Sequence, residues 1–256
     1  NDFIDNDALE YRGLTFVFNE DGTLYNRFLK LRKFFNLNEN DSTQHINLLG
    51  KKIKSIHNKE DGSLITFIKL PNETVLATTK MTFENEQSKV AQFRYENNFE
   101  NIKPLIDYCL NNEIVPIFEL TGPLNRVVLK YNTTKLILLR LRCNKTGKLL
   151  DFNILPDNLL NNISIAINEN YNSYSLRKIE DIQDQNINFV VLDSGVCVHI
   201  LEDGILEIFR NDFTSNSIKI IKDPEINTDI ILMKNSAKLL FAKEDKLYSM
   251  AMKWKQ

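Results

Sequence analysis

Short segments of alternating or β-branched apolar residues, separated by tight turns, dominate this chain of 256 residues. Such segments are typical of strands, and an Asp-Gly pair between two of them is typical of a hairpin. The strand-like segments are residues 9–18, 64–70, 74–80, 115–120, 127–131, 135–142, 188–192, 196–201, 205–209, 217–221, 229–233 and 239–252. Apolar residues at helical spacing predict two helices within residues 84–112 and a third around residues 158–168. We therefore expect an α+β fold in which antiparallel sheets predominate and helices lie outside.

Composition narrows the classes of function. The chain is 43% hydrophobic and 26% charged, with 32 basic against 34 acidic residues, which excludes disordered and collagen-like chains. No apolar run reaches the ~18 residues of a transmembrane helix, so no membrane association and no signal peptide are expected. The net charge of -2 argues against binding a long nucleic acid by bulk electrostatics. The cysteines Cys109, Cys143 and Cys197 are odd in number and widely spaced, as in reduced cytoplasmic proteins.

Several kinds of catalytic site are disfavoured by what the sequence lacks. His45, His57 and His199 are far apart, and neither an HExxH nor a paired Cys-x-x-Cys pattern is present, which makes a zinc site improbable. No nucleophile-elbow sequence supports Ser-His-Asp catalysis, and eight glycines are too few to suggest a glycine-rich phosphate loop. These absences direct attention to lysine.

Lys59 stands directly before a turn, in the segment Lys59-Glu60-Asp61-Gly62-Ser63. One interpretation is a solvated lysine at the rim of an ordinary Asp-Gly turn. The other is a lysine nucleophile, which needs neighbouring cations because a free amine with a pKa near 10.4 is almost fully protonated at pH 7. Between Arg27 and Lys59 the sequence holds eight basic and two acidic residues. The second interpretation therefore has local charge in its favour.

Several motifs, in order, resemble those of T-even phage-type ATP-dependent RNA ligases, the RNA ligase 1 family. Lys-x-Asp-Gly-Ser at 59–63 is similar to the first motif of covalent nucleotidyltransferases. The other matching segments are Tyr-Arg-Gly-Leu-Thr-Phe at 11–16, Lys-Phe-Phe-Asn-Leu-Asn-Glu-Asn at 33–40, Thr-Thr-Lys at 78–80, Phe-Glu at 118–119, Gly-Pro-Leu-Asn-Arg-Val-Val-Leu at 122–129 and the strand 135–142. The resemblance covers residues 9–150 and implies a nucleotidyltransferase (ATP-grasp-like ligase) core of antiparallel sheets flanking a nucleotide cleft.

The resemblance also implies roles for particular residues. Lys59 would attack the α-phosphate of ATP and carry AMP as a lysyl-AMP intermediate, before AMP passes to an RNA 5′-phosphate. Glu119 would hydrogen-bond the ribose or help hold Mg²⁺, which would neutralise the departing pyrophosphate. The remaining residues implied to bind the nucleotide in this half are Arg12, Lys33, Phe35, Gly62 and Lys80.

The second half departs from the family pattern, which has a Glu-Gly metal strand and then a Lys-x-Lys pair for the triphosphate. In one register, residues 188–191 and 198–201 take these places, so that Asn188 replaces the metal carboxylate and His199 and Leu201 replace the lysines. In the other, Asp203-Gly204 is the metal motif, and Lys219 and Lys222 bind the triphosphate. Spacing favours the first register and chemistry favours the second, so both stay open.

Two functions follow from these alternatives. The first is an ATP-dependent RNA ligase-like adenylyltransferase that repairs broken RNA, such as a cleaved tRNA, by joining 5′-phosphate and 3′-hydroxyl ends. The second is a catalytically inactive, ligase-like protein that binds RNA or a protein partner, for instance as an inhibitor or immunity factor. We expect a ligase-like domain over residues 1–213 and a β-rich extension over 214–256, with neither an OB nor a helical C-terminal domain.

Overall fold

The computed structural model describes residues 8–125, 130–166, 168–170, 175–176, 189–192, 197–201, 204–210, 218–221 and 231–232. Contacts divide the chain into two units. Unit 1 comprises Asn1–Lys33 and Glu60–Ala166, and unit 2 comprises Phe34–Lys59 and Ile167–Gln256. The chain thus passes from unit 2 to unit 1 at the Lys59–Glu60 peptide bond. The expected boundary at residue 213 lies outside the described residues.

Strands outnumber helices among the described residues, so the α+β prediction is confirmed. The strands are β1 (Thr15–Phe18), β2 (Leu24–Phe28), β3 (Phe35–Asn36), β4 (Ile53–Asn58), β5 (Ser63–Lys69), β6 (Val75–Thr78), β7 (Ile114–Thr121), β8 (Lys135–Cys143), β9 (Leu149–Leu150), β10 (Ser164–Ile165), β11 (Asn168–Asn170), β12 (Ser175–Leu176), β13 (Phe189–Leu192), β14 (Cys197–Ile200), β15 (Leu206–Arg210), β16 (Ile218–Ile221) and β17 (Ile231–Leu232). The α-helices are α1 (His45–Leu48), α2 (Glu86–Glu96), α3 (Ile102–Asn111) and α4 (Asp157–Leu160). None of the helices described is long and apolar enough to cross a membrane.

Unit 1 is built on a six-stranded sheet of order β10-β8-β7-β5-β6, with β9 also paired to β8. Both helices predicted within residues 84–112 are confirmed as α2 and α3. Helix α3 buries Ile102, Leu105, Ile106 and Cys109, whose spacing places them on one face. Phe67 and Phe118, from two adjacent strands, meet edge to face in the core, with ring centroids 5.9 Å apart.

The edge strand β6 is covered by a side chain from α2. The amide nitrogen of Ala77 donates to Gln92 Oε1 at 2.7 Å, and Gln92 Nε2 donates to the carbonyl of Val75 at 3.1 Å. One side-chain amide therefore satisfies the donor and the acceptor that a further strand would use.

The first predicted strand, residues 9–18, is only partly correct. Residues Leu9–Tyr11 form a 3₁₀ turn, and the strand begins at Thr15. Gly13, between them, has φ of +78°, which a continuous strand would not allow. Strand β1 pairs with β2 in a separate two-stranded hairpin.

Unit 2 contains a five-stranded sheet of order β11-β4-β15-β14-β3 and a four-stranded sheet of order β12-β13-β16-β17. In the first, β15 lies parallel to β4, the strand that leads to Lys59. An apolar cluster covers one face of this sheet and consists of Leu37, Leu48, Ile53, Ile56, Val198, Leu206 and Ile208, with Ile200 partly buried against it.

Strand β4 was not predicted, because its residues Ile-Lys-Ser-Ile-His-Asn mix polar and apolar types without a clear period. Ser55, Ile56 and His57 are nevertheless all buried, so both faces of the strand are covered. The predicted strand 127–131 falls mostly outside the described residues, and residues 239–252 fall wholly outside them. The helix expected around 158–168 is wrong over most of its length, because only the short α4 is helical and Ser164–Ile165 and Asn168–Asn170 are strands.

Lys30 is a buried cation whose hydrogen-bond partners are neutral. Its side chain is 2% exposed, and Nζ donates to Thr78 Oγ1 at 3.1 Å and to the carbonyl oxygen of Thr79. Burial lowers the pKa of Lys30 to about 8. Because the unfolded chain would keep the ordinary pKa, the charged amine disfavours the folded state at neutral pH.

We expect Lys30 to make the free energy of unfolding rise with pH. Between the folded pKa and the ordinary value, the unfolded chain binds more protons, so the folded state gains stability as pH increases. Relative to Lys30→Met, the wild type should gain about 2 kcal/mol between pH 7 and pH 9.5. Denaturant unfolding at both pH values measures this, and the exposed Lys148→Met is the control. An unchanged difference between wild type and Lys30→Met would contradict the burial argument.

Candidate functional site

Lys59 lies immediately after strand β4 and is half-buried. The segment that follows it, Glu60 to Ser63, belongs to unit 1 and leads directly into β5. Lys59 thus follows a strand of unit 2 in the sequence and precedes a turn of unit 1. The contacts of that turn define the first part of the candidate site.

The side-chain carboxylate of Glu119 binds the backbone of this turn. The amide nitrogen of Gly62 donates to Glu119 Oε1 at 3.0 Å, and Glu119 lies on the central strand β7, paired with Leu64. Hydrogen bonds from an amide to a carboxylate are stronger than neutral ones. Two residues that the sequence singled out separately are thus in direct contact.

Only glycine fits at position 62, because the neighbouring atoms leave no room for a side chain. A Cβ atom there would lie 2.1 Å from the carbonyl oxygen of Leu120, a distance that no side chain tolerates. The same carbonyl accepts a hydrogen bond from Asn125 Nδ2 at 2.5 Å, and Ser63 Oγ donates to Asn125 Oδ1 at 3.1 Å. The turn therefore packs directly on the end of β7.

Tyr131 holds the other end of the turn. Its hydroxyl accepts the amide hydrogen of Asp61 at 3.0 Å and donates to Glu60 Oε2 at 3.0 Å. Burial raises the pKa of Tyr131, and the neighbouring carboxyl groups raise it further, so the phenol stays neutral and can donate. Sequence reasoning missed this residue, because its partners lie about seventy positions earlier in the chain.

Tyr131→Phe should destabilise unit 1 by about 1–2 kcal/mol, since the amide of Asp61 loses its partner. Tyr108→Phe is the matched control, because the hydroxyl of Tyr108 has no hydrogen-bond partner among the described residues. Thermal unfolding of both variants measures the effect. Equal stability of the two would show that the Tyr131 hydroxyl does not hold the turn.

Backbone contacts bring three predicted nucleotide-binding residues together within unit 1. A Cβ on Gly13 would lie 3.0 Å from the carbonyl oxygen of Lys80, so the segment at Arg12 runs against Lys80. The amide of Lys33 donates to the carbonyl of Leu9 at 3.1 Å, which holds Lys33 beside the same 3₁₀ turn. Arg12 and Lys33 are half-buried and Lys80 is exposed. The backbones of Arg12, Lys33 and Lys80 thus lie in one region of unit 1.

The buried side chain of Arg142 stabilises this region through hydrogen bonds. It is 3% exposed, donates to the carbonyl of Gly147 at 2.7 Å and to that of Lys30, and pairs with Glu10 at 2.5 Å. A buried guanidinium with a carboxylate and carbonyl partners is well satisfied. Arg142 is therefore a structural residue of the strand β8 rather than a free cation.

Phe35 lies on β3 of unit 2, is 5% exposed and pairs through its backbone with Val198. Its neighbour Phe34 instead stacks on Phe209, with ring centroids 4.6 Å apart, and Phe209 stacks on His57 at 4.9 Å. The two phenylalanines of the Lys-Phe-Phe-Asn segment thus take different surroundings. The role of Phe35 toward a nucleotide stays a prediction.

A buried polar cluster lies on the sheet face opposite the apolar cluster of unit 2. Glu207, which is 3% exposed, accepts from His199 Nδ1 at 3.2 Å and lies 3.8 Å from His57 Nε2. Ser55 Oγ is 2.6 Å from the same His57 nitrogen. One carboxylate of this cluster is thus shared by two histidines.

The structure bears on both registers of the second half. In the first, residues 189–191 lie on β13 of the four-stranded sheet, whereas His199 lies on β14 of the five-stranded sheet. In the second, Gly204 precedes β15 of the five-stranded sheet, whereas Lys219 is paired with Val191 in the four-stranded one. Neither register brings its two motifs into one sheet. Asn188, Asp203 and Lys222 lie outside the described residues.

No cluster of three or more His, Cys, Asp or Glu side chains that could hold a metal occurs in the part of the chain described. Mg²⁺ prefers oxygen ligands, and Glu119 is the predicted ligand that the structure describes. One of its oxygens already accepts the Gly62 amide. Among the described residues, Glu119 would therefore offer Mg²⁺ a single carboxylate, and substrate phosphates and water would supply the other ligands.

A family model and a relative of known sequence both indicate the same family for this chain. The family model described as RNA ligase matches residues 10–188. A protein of Thermovibrio ammonificans, provisionally named an RNA ligase, is 33% identical over 141 residues, which cover 55% of this chain and 36% of that protein.

Solved structures were also compared. An archaeal ATP-dependent RNA ligase has a TM-score of 0.46 and 11% identity, over 78% of this chain and 52% of the other. A Naegleria gruberi RNA ligase mutant with ATP and Mn has a TM-score of 0.43 and 12% identity, over 86% and 58%. The chain thus spans about a third of the Thermovibrio protein and little more than half of these two chains.

Proposed function

Because the chain belongs to the RNA ligase family, we propose that it is an ATP-dependent RNA ligase-like adenylyltransferase with Lys59 as its nucleophile. The observation that carries the proposal is the turn after Lys59. Gly62 is bonded to Glu119 and packs against Leu120 so closely that no side chain fits. A nucleophile has to be held in a fixed geometry, and this turn supplies it.

The proposed reaction has three steps. Neutral Lys59 Nζ attacks the α-phosphorus of ATP, a P–N bond forms, and the bond to pyrophosphate breaks. An RNA 5′-phosphate then attacks the same phosphorus, so that AMP passes to the RNA and Lys59 is released. Finally the RNA 3′-hydroxyl attacks the activated 5′-phosphate, AMP leaves, and a phosphodiester bond is made.

The cations of unit 1 are proposed to bind the phosphates of ATP. Arg12, Lys33 and Lys80 are gathered by the backbone contacts described above, and cations at developing negative charge favour phosphoryl transfer. Lys219 and Lys222 remain candidates for the same role, as does Asp203 for the metal. Mg²⁺ is proposed to enter bound to ATP, because the described residues hold no cluster of three or more ligands for it.

The proposed substrate is RNA with a 5′-phosphate and a 3′-hydroxyl, and a cleaved tRNA is one such substrate. A cytoplasmic setting is proposed with it, since Cys109, Cys143 and Cys197 are all free thiols.

A second candidate is an inactive, ligase-like protein that binds RNA or a protein partner. The buried cluster around Glu207 favours it. This cluster lies on β4, the strand that ends next to Lys59, on its neighbour β15 and on β14 beyond it, and it presents a carboxylate and two histidines. A carboxylate in place of lysines gives a phosphate group no cation to bind at this position.

Incubation with α-labelled ATP and Mg²⁺, followed by denaturing electrophoresis, separates the two functions. We expect a labelled covalent adduct that is lost in Lys59→Ala and retained in Lys54→Ala, whose exposed lysine lies on the same strand. Acid-labile, base-stable label would identify the P–N bond. Folded wild-type protein that forms no adduct would exclude the enzyme and leave the binding protein.

A further inference from the structure

The β1–β2 hairpin has two faces of opposite character. Val17 and Phe28 are 8% and 4% exposed and belong to the core of unit 1. On the other face, Phe16 is paired with Arg27 and Phe18 with Leu24, and residues paired directly across two strands share a face. The outer face of the hairpin is defined here as Phe16, Phe18, Leu24 and Arg27.

This outer face is apolar and uncovered. Phe16, Phe18 and Leu24 are 52%, 56% and 53% exposed, although large apolar side chains usually pack against other groups. A contiguous exposed patch of this kind marks an interaction surface more often than scattered single residues do. The proposed reaction does not use the hairpin, so another role is open to it.

The spacing and charge of the outer face fit nucleobases. Phe16 and Phe18 are separated by two residues of an antiparallel strand, or roughly 6.8 Å, twice the roughly 3.4 Å rise between stacked bases. The guanidinium of Arg27 stands opposite Phe16 and contacts the backbone carbonyl of Lys145 at 3.5 Å, which brings a second exposed cation to this end. Aromatic rings beside cations are the usual means of binding single strands.

The acidic residues of the hairpin itself lie in its turn, at the end far from Arg27. Glu20 and Asp21 are in the turn, where Asp21 Oδ1 accepts the amide and the hydroxyl of Thr23 at 2.9 and 2.6 Å. Charge therefore runs from basic at Arg27 to acidic at the turn. A polyanion would place its phosphates at the Arg27 end and its bases along the rings.

We propose that the outer face of the β1–β2 hairpin binds single-stranded RNA by stacking bases on Phe16 and Phe18. The choice of RNA rests on the proposed function, whereas the stacking surface rests on the hairpin alone. Binding is expected to be tolerant of sequence, because every base offers an aromatic face. The surface extends the RNA contacts beyond the end that is joined.

Binding of a fluorescein-labelled 12-nucleotide single-stranded RNA, measured by anisotropy without ATP, tests the proposal. Phe16→Thr and Phe18→Thr keep strand propensity and should each weaken binding about tenfold. Phe93→Gln is the matched control, because Phe93 is 58% exposed on α2 and should leave the affinity unchanged. Arg27→Gln should reduce the slope of affinity against salt concentration by about one.

Circular dichroism and sedimentation of each variant complete the test. A wild-type protein that does not bind the RNA, or hairpin variants that are folded and bind it as tightly as the wild type, would overturn the proposal. A change of oligomeric state in the hairpin variants would also overturn it, because the face would then join two copies of the chain.

The ligase proposal is tested separately. Adduct formation and RNA binding are measured on the same folded preparations of the wild type and the hairpin variants. A chain that forms no adduct but loses RNA binding in the hairpin variants supports the surface and contradicts the enzyme. A chain that forms the adduct but binds RNA regardless of Phe16 and Phe18 contradicts the surface alone.

Discussion

The hydrogen bond from the Gly62 amide to Glu119 joins the turn after Lys59 to the central strand of unit 1. It ties residues 57 positions apart, and it works only because the glycine lets the backbone approach the carbonyl of Leu120. Tyr131 and Asn125 add bonds on either side of it. The first backbone group beyond Lys59 that is held in this way is the amide of Asp61, two residues further on. The turn that follows the proposed nucleophile therefore depends on the packing of strand β7, far along the chain.

Local patterns made much of unit 1 readable from the sequence. Strands β5, β6, β7 and β8 follow from short β-branched segments bounded by turn residues, and α3 follows from its single apolar face. The motif around Lys59 could be recognised because its residues are consecutive in the sequence. Strand β4 was missed because Ser55 and His57 are buried through a partner strand some 150 residues later. Side-chain contacts over long separations, such as Lys30 with Thr78 or Tyr131 with Asp61, leave no signal in a single sequence.

The two units carry charge differently, and this underlies the choice between the proposed functions. Unit 1 gathers Arg12, Lys33 and Lys80 by backbone contacts and keeps Lys30 in its interior, with a lowered pKa. In unit 2 the described cluster beside β4 is built on Glu207 and two histidines. An overall charge of -2 conceals this separation. The placement of the charges, rather than their sum, decides which chemistry the chain can perform.

Gln92 has a consequence for how this chain behaves among copies of itself. A strand at the rim of a sheet can recruit any extended polypeptide, including the same strand of a neighbouring molecule. Here the side-chain amide of Gln92 resembles the peptide group of such a strand. It occupies the carbonyl of Val75 and the amide of Ala77, with which that strand would form hydrogen bonds. Growth of the sheet across molecules would first require the helix side chain to withdraw. The side-chain amide of Gln92 therefore opposes edge-to-edge association between copies of this sheet.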